Sequence, residues 1–165
     1  MLIRKAQARW NGNLMQGSGR LTVGSGAIDV PYSIKSRLED GQSATNPEEL
    51  LGAAHAGCFT MALAAQLSGA GFTPTHIDTD ANVAFEKIGD SFAISRIELV
   101  TSAEVPGINN PTFQKFVTDA KQNCPVSKAL AAIEIRVKAT LGETESSQTS
   151  TPIAISQNQE MKGTQ

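Results

Sequence analysis

The sequence predicts an α+β fold in which antiparallel sheets surround one long buried helix. Stretches with the alternating pattern of strands come in groups of three, two and one along the chain. A stretch starting at Asn46 is almost wholly apolar after its first turn, and residues 111–123 have apolar side chains at helical spacing. The resulting order is βββ-α-ββ-α-β, without regular strand–helix–strand crossovers, and it favours antiparallel pairing.

Length and composition limit the classes of function. The chain has 165 residues, enough for one domain with a real core, and a formal net charge of −2, which gives no reason to expect a nucleic-acid partner. Charged residues occupy the N-terminal positions where a signal peptide needs an apolar run. The long apolar stretch is broken by small and polar residues, so we interpret it as a core helix and expect no membrane association. Two cysteines without a secretory signal favour a reducing compartment, the cytoplasm.

The first third predicts a three-stranded meander. The expected strands are residues 2–10, 14–23 and 27–34, separated by the turn signals Asn11-Gly12-Asn13 and Gly24-Ser25-Gly26. Residues 35–45 then form a polar connection that contains Arg37.

The central helix has a clear start. Asn46 is a good N-cap, Pro47 suits the first helical position, and Glu49 stands where a capping box places a carboxylate. Cys58 lies in the middle of the apolar run. Several small residues would let other backbone come close to this helix; they are Gly52, Ala53, Ala54, Ala56 and Gly57.

The second half predicts a hairpin, two helices and a last strand. The hairpin strands are residues 77–88 and 92–103, the helices are residues 111–123 and 126–132, and the closing strand is residues 133–141. Cys124 falls at the start of the shorter helix. We therefore expect a domain over residues 1–141 and a polar C-terminal tail over residues 142–165.

The two thiols are the candidate chemistry. Free cysteines are often simply buried, and this interpretation stays open. Against it, a helix N-terminus can lower the pKa of Cys124, and the polar loop with Arg37 leads into the helix that bears Cys58. A metal site using both cysteines with His55 and His76 is a weaker alternative, because neither thiol has tight ligand spacing. We expect His55 to be a packing residue with a hydrogen-bonded ring.

The length of the central helix keeps two of the candidate site residues apart. Ten residues of helix span ~15 Å, so Glu48 and Cys58 cannot meet within one chain. They can meet if two copies of the helix lie antiparallel in a dimer.

Two motifs resemble those of one family. Residues 45–59 (TNPEELLGAAHAGCF) closely resemble the signature of the OsmC/Ohr family, the osmotically inducible protein C and organic hydroperoxide resistance proteins. Residues 123–130 (NCPVSKAL) resemble the second cysteine motif of that family. The alanine-rich helix and the loop with Arg37 look more like the OsmC branch.

The resemblance implies an OsmC-like fold, an intertwined homodimer and a two-cysteine peroxidase that reduces organic hydroperoxides, and hydrogen peroxide less well, in oxidative or osmotic stress. Cys58 matches the peroxidatic cysteine and Cys124 the resolving one. Arg37 matches the activating arginine and Glu48 the carboxylate that positions it. The family implies active sites shared across the interface, an external dithiol reductant such as a lipoyl protein, and no bound cofactor or metal.

Two other functions remain open from sequence. A general thiol–disulfide oxidoreductase is disfavoured because the cysteines are 66 positions apart rather than in a C-x-x-C motif. A dimeric non-enzymatic protein could instead report oxidation through its thiols or bind a lipid-like ligand in its apolar interior.

Overall fold

The computed structural model describes residues 1–39 and 43–142, and it confirms the α+β class. Two three-stranded sheets, ordered β1-β2-β3 and β4-β5-β6, accompany one long helix and three shorter ones in these residues. The elements are β1 (Ala6–Asn11), β2 (Ser18–Val23), β3 (Asp29–Tyr32), α1 (Ile34–Leu38), α2 (Pro47–Gly69), β4 (His76–Ile88), β5 (Ser91–Glu104), α3 (Asn110–Asn123), α4 (Pro125–Ala129) and β6 (Glu134–Leu141).

The first sheet is the expected antiparallel meander with shorter strands. The return strand begins at Ser18 rather than at residue 14, because the Asn13 side chain accepts the N–H groups of Met15 and Gln16 and holds them in a turn. Most side chains of β1 are exposed in the single chain.

The sequence suggested a plain polar connection into the central helix, but part of this connection is helical. Residues 34–38 form α1, because Ser33 and Ser36 make a reciprocal capping box. The Ser36 hydroxyl also donates to the Thr45 carbonyl at 2.7 Å, which ties α1 to the start of α2. Arg37 therefore lies on a helix with a fixed position. The rest of the connection, residues 40–42, lies outside the described residues.

The central helix α2 is continuous from Pro47 to Gly69. The Asn46 side chain accepts the Glu49 N–H at 2.8 Å, as expected for an N-cap. The predicted capping box is not made, because the Glu49 carboxylate accepts the Thr45 hydroxyl at 2.9 Å instead. At the other end, Gly71 takes a φ of +85° that favours glycine and turns the chain away.

The core lies between one stripe of α2, the second sheet and α3. Where α2 crosses β4, a side chain at Gly52 would meet Val83 at 3.3 Å, so the absence of a Cβ lets the helix approach the sheet. Each large apolar side chain buried here contributes about 1.5–3 kcal/mol. The fully buried ones are Phe59, Leu63, Leu67, Ile97, Leu99 and Phe113.

The second sheet differs from expectation in one pairing. Strands β4 and β5 form the predicted antiparallel hairpin, but β6 runs parallel to β5, with Ile97 opposite Ile135. The expectation of purely antiparallel sheets is wrong here, because α3 and α4 form a crossover long enough to return the chain in the same direction. The last strand ends at Leu141, and residues 143–165 of the expected tail lie outside the described residues.

The face of α2 away from the core is apolar and uncovered in the single chain. Met61 is 75% exposed, and Ala53, Ala54, Gly57 and Ala65 are exposed with it. Among the described residues, α2 is also the one helix whose length and hydropathy would suffice to cross a membrane. Its packing against β4, α3 and α4 is that of a core helix.

Candidate active site

The two thiols lie together, although they are 66 positions apart. Half-buried Cys58 is on α2, and fully buried Cys124 lies at the junction of α3 and α4, where it is the N-cap residue of α4 with Pro125 as the first helical residue. The predicted second helix is therefore present, but it ends at Ala129. Each thiol is among the neighbouring groups that shift the pKa of the other, so the two side chains lie close together.

The surroundings shift the pKa values of the two thiols in opposite directions. Burial raises the pKa of Cys58, and the neighbouring Cys124 raises it further, against a hydrogen bond from the Val126 backbone. Burial also acts to raise the pKa of Cys124, but contacts from the Ser127 N–H, the Cys58 thiol, the Ser127 hydroxyl and the Val126 N–H outweigh it. The pKa of Cys124 is therefore lowered. Within one chain, Cys124 therefore loses its proton more readily than Cys58.

Arg37 and Glu48 form a second, separate cluster. The Arg37 Nε lies 3.1 and 3.2 Å from the two Glu48 carboxylate oxygens, and Nη2 lies 2.7 Å from Oε1. Glu48 is 7% exposed, so this ion pair is shielded from water on the carboxylate side. The guanidinium also lies 4.5 Å from the centre of the Phe85 ring, a cation–π contact.

Sequence reasoning missed Phe85. It lies on β4 where the register with β5 shifts between Ala84 and Phe85, and such a bulge redirects a side chain in a way that alternation alone does not indicate. Stacking against Phe92, with 5.2 Å between ring centres, fixes the ring.

A cavity of about 270 Å³ opens beside this cluster, between the start of α2 and β4. It lies ten residues, or ~15 Å, along α2 from Cys58. The structure thus brings Cys58 to Cys124 and Arg37 to Glu48, but one chain does not bring the two pairs together.

The buried His55 has the hydrogen-bonded ring that the sequence predicted. Its Nε2 lies 2.8 Å from the Ser127 hydroxyl oxygen. Sequence reasoning missed Ser127 as a site residue, although it lies in the second cysteine motif, three positions after Cys124. Within residues 1–39 and 43–142, no group of three or more His, Cys, Asp or Glu side chains could hold a metal ion.

Comparison with known proteins places the chain in a family. Residues 39–139 match the profile of the OsmC-like proteins. The chain belongs to the OsmC-like family. It is 48% identical to Peroxiredoxin OsmC of Escherichia coli (strain K12) over 130 residues, which is 78% of this chain and 90% of that protein. It is 33% identical to an organic hydroperoxide resistance protein of Xanthomonas axonopodis pv. citri (strain 306), over 67% of this chain and 78% of that one. The resemblance found in the two cysteine motifs is confirmed.

Solved structures share the OsmC-like fold. An organic hydroperoxide resistance protein from Elizabethkingia anophelis superposes with a TM-score of 0.65 at 23% identity, covering 87% of this chain and 99% of that one. An OsmC-like protein of Vibrio cholerae gives a TM-score of 0.71 at 13% identity, covering 85% and 100%. At these identities the likeness shows the fold alone.

Proposed function

We propose that this OsmC-like protein is a thiol-dependent hydroperoxide reductase that acts on organic hydroperoxides. The observation that carries the proposal is the proximity of Cys58 and Cys124, two thiols that distant parts of the chain bring together. The names of the relatives, Peroxiredoxin OsmC and organic hydroperoxide resistance protein, support the same reaction.

The reaction starts at Cys58, the more accessible of the two thiols. Its thiolate attacks the distal peroxide oxygen, the O–O bond breaks, and an alcohol leaves as Cys58 becomes a sulfenic acid. Cys124 then attacks the sulfenic sulfur, which gives the Cys58–Cys124 disulfide and water. Because the two thiols are neighbours, this second step needs no large rearrangement of the chain and protects Cys58 from overoxidation.

The proposed active form is a homodimer. Contiguous exposed apolar surface is unusual on a monomer, and the outer face of α2 is made of small residues and Met61. Small residues let two helices pack closely. The first sheet, with most of β1 exposed, offers further surface for an intertwined partner.

Dimerisation would also complete the active site. With the two α2 helices antiparallel, the Arg37–Glu48 pair of one subunit comes to the level of the partner's thiols. Burial raises the pKa of Cys58, so a guanidinium beside it would stabilise the thiolate and the charge on the departing oxygen. Glu48 and Phe85 hold the guanidinium in one orientation for this role.

An external dithiol must reopen the disulfide, and a lipoyl protein is the class we propose. Because the two thiols must be returned to the reduced state, we propose a reducing compartment, the cytoplasm. The partly buried apolar side chains of Leu51 and Ala62 on α2 and Val126 on α4 favour alkyl or lipid peroxides over hydrogen peroxide.

A single-turnover reaction of the reduced protein with cumene hydroperoxide tests the proposal. We expect the wild type to lose two thiols and two mass units rapidly, Cys58→Ser to be inert, and Cys124→Ser to stop at a sulfenic or overoxidised acid. If the wild type reacts no faster than a free thiol in solution, the proposal is wrong. One stoichiometric oxidation without turnover by dithiothreitol would instead favour a redox sensor.

A further inference from the structure

A buried hydrogen bond joins the two helices next to the thiols, and the proposed reaction gives it no role. The His55 ring on α2 is 0% exposed, and Ser127 on α4 is 6% exposed. The ring Nε2 lies 2.8 Å from the Ser127 hydroxyl oxygen, although the two residues are 72 positions apart. Among the described residues, this His55–Ser127 link is the one side-chain hydrogen bond between α2 and α4.

The second ring nitrogen of His55 identifies the donor. Nδ1 is buried and has no hydrogen-bond partner within residues 1–39 and 43–142. Burial lowers the pKa of His55, so the ring is neutral and has one N–H. A hydrogen on Nδ1 would be a buried donor without an acceptor, which is rare and costly in folded proteins. The hydrogen therefore lies on Nε2, and His55 donates to the Ser127 oxygen.

The short helix α4 depends on contacts of this kind for its position. It has five residues, too few for a helix to be stable alone, and its N-cap residue Cys124 makes no side-chain capping bond. Val126 and Leu130 pack against the core, but apolar contacts are not directional. The His55–Ser127 link adds a preferred direction and distance.

The direction of α4 matters because Cys124 is the single residue between α3 and α4. Its backbone is not helical, with φ of −60° and ψ of 119°. A change in the direction of α4 would change these angles and move the Cys124 side chain. Whatever fixes α4 therefore also fixes the resolving thiol.

The His55–Ser127 link and the thiol pair are adjacent connections between α2 and α4. His55 lies three residues before Cys58, and Ser127 lies three residues after Cys124. Residues three apart in a helix are neighbours on one face, about 5–6 Å from each other. Cys58 also packs against the buried core that contains Cys124. Fixing the first pair therefore leaves the second pair little freedom to separate.

We propose that His55 is a positioning residue for the resolving step, which holds α4 through Ser127 so that Cys124 stays beside Cys58. The proposal rests on the reductase function for its catalytic consequence. The link itself, and its effect on how readily the two thiols form a disulfide with any oxidant, do not depend on that function.

The step that benefits is the condensation of the two sulfurs. The Cys124 sulfur bonds to the Cys58 sulfenic sulfur, the S–O bond breaks, and the Cys124 proton leaves with the hydroxyl as water. The peroxide has already taken two electrons from Cys58, so this step needs no further oxidant. Such a step depends steeply on placement, since a displacement of about 1 Å can cost roughly 100-fold in rate.

The effective concentration of the thiol pair measures the positioning without peroxide. It is the equilibrium constant for exchange with glutathione, in which glutathione disulfide is reduced to two thiols as the Cys58–Cys124 disulfide forms. Without the link, α4 gains freedom in the reduced protein that the disulfide denies it in the oxidised protein. We expect the effective concentration to fall about tenfold in Ser127→Ala and in His55→Leu. An unchanged value in Ser127→Ala, the smaller change, would overturn the proposal even if His55→Leu does not fold.

Further variants separate the hydrogen bond from packing. Ser127→Thr keeps the hydroxyl and His55→Gln keeps an N–H donor, so both should restore most of the effective concentration. The double variant of His55→Leu with Ser127→Ala should lose no more than either single variant, because both remove the same bond. Additive losses would show two independent effects and refute the link.

Thr60→Val is the matched control, because it removes a hydrogen bond of 2.8 Å from the same helix to Thr79 on β4. Its effective concentration should equal that of the wild type. An equal fall in Thr60→Val and Ser127→Ala would show a general loosening of the protein and refute the positioning role.

Cumene hydroperoxide provides a measurement that is specific to one step. In Ser127→Ala we expect the Cys58 sulfenic acid to form at the wild-type rate and the disulfide to form about tenfold more slowly. Excess peroxide should then give Cys58 sulfinic acid, detected by intact mass as two added oxygen atoms. If the glutathione equilibrium shifts as expected but the wild type reduces no peroxide, the positioning role stands and the reductase proposal fails. If the wild type reduces peroxide and Ser127→Ala matches it in both experiments, the reductase proposal stands and the positioning role fails.

Discussion

The Arg37 guanidinium contacts both carboxylate oxygens of Glu48, with its shortest contact, from Nη2 to Oε1, at 2.7 Å. The arginine is the exposed partner and the glutamate the buried one, with side-chain exposures of 39% and 9%. The buried Glu48 carboxylate thus holds the Arg37 guanidinium at the surface of the chain, where a second molecule can reach it.

Replacing Arg37 should slow peroxide attack without unfolding the protein. We expect Arg37→Ala to reduce the rate constant for cumene hydroperoxide about 100-fold, the typical effect of losing one preorganised donor in an active site. Arg37→Lys keeps the charge but loses the two-point contact, and it should also be slow. Stopped-flow measurement of thiol oxidation gives the rates, and thermal unfolding checks the fold. A normal rate for Arg37→Ala would assign activation to another arginine, such as Arg20 or Arg4.

A large side chain at Gly57 should separate the subunits. An added Cβ at Gly57 meets no atom within 4 Å in the described part of the chain, so Gly57→Gln is compatible with the single chain and even favours the helix by removing a glycine. At a close helix–helix contact the same side chain blocks packing. We expect a monomer in size-exclusion chromatography with light scattering, and loss of peroxide reduction.

Gly69→Gln is the control for this prediction. Gly69 lies on the same helix, its Cβ position is equally open, and it is at the end rather than the middle of the apolar face. It should remain dimeric and active. Two variants with the same oligomeric state would contradict the proposed interface.

Acid should destabilise the protein through His55. Burial lowers the pKa of His55, whereas the unfolded chain binds the proton near the ordinary value of about 6.5. The unfolded state therefore binds more protons below that pH. The free energy of unfolding should fall as the pH drops below about 6.5, until the native ring itself protonates.

Urea unfolding between pH 5 and 8 measures this effect. His55→Gln should remove the His55 part of the acid loss, and His76→Gln, at a half-exposed position, should retain it. The reverse assignment, with the loss removed by His76→Gln, would show that the burial of His55 has no such consequence.

The oxidised protein should resist unfolding more than the reduced one. A Cys58–Cys124 disulfide closes a loop of 66 positions, for which chain entropy gives roughly 4 kcal/mol. Denaturant unfolding of the peroxide-treated and dithiothreitol-treated forms would measure the difference, with Cys124→Ser as a variant that should show none. Equal stabilities would mean that strain in the bonded form offsets the entropy gain.

Much of the fold could be predicted because local patterns specify it. The N-cap at Asn46, the apolar run that follows and the hairpin strands all match the structure. Strand length was less accurate: the side-chain turn at Asn13 delays the start of β2, and the capping box at Ser33 ends β3 earlier than alternation suggests. The parallel pairing of β6 could not be predicted from periodicity, because direction depends on how α3 and α4 return the chain.

The sequence was enough to name candidate site residues, but not to describe their full arrangement. Both cysteines, Arg37 and Glu48 were singled out from sequence, and the helix length correctly implied two separate clusters in one chain. Phe85 and Ser127 were missed, because a bulge and a short helix set their positions.

The crossover between β5 and β6 also bears on how the newly made chain acquires its redox chemistry. Cys58 is on a helix held by local contacts, but Cys124 comes to it only when α3 and α4 pack against that helix. Until this non-local step is complete, each thiol is a separate target for oxidants and for foreign disulfides. The thiol pair therefore depends on a non-local contact, and we expect it to form more slowly than α2 itself.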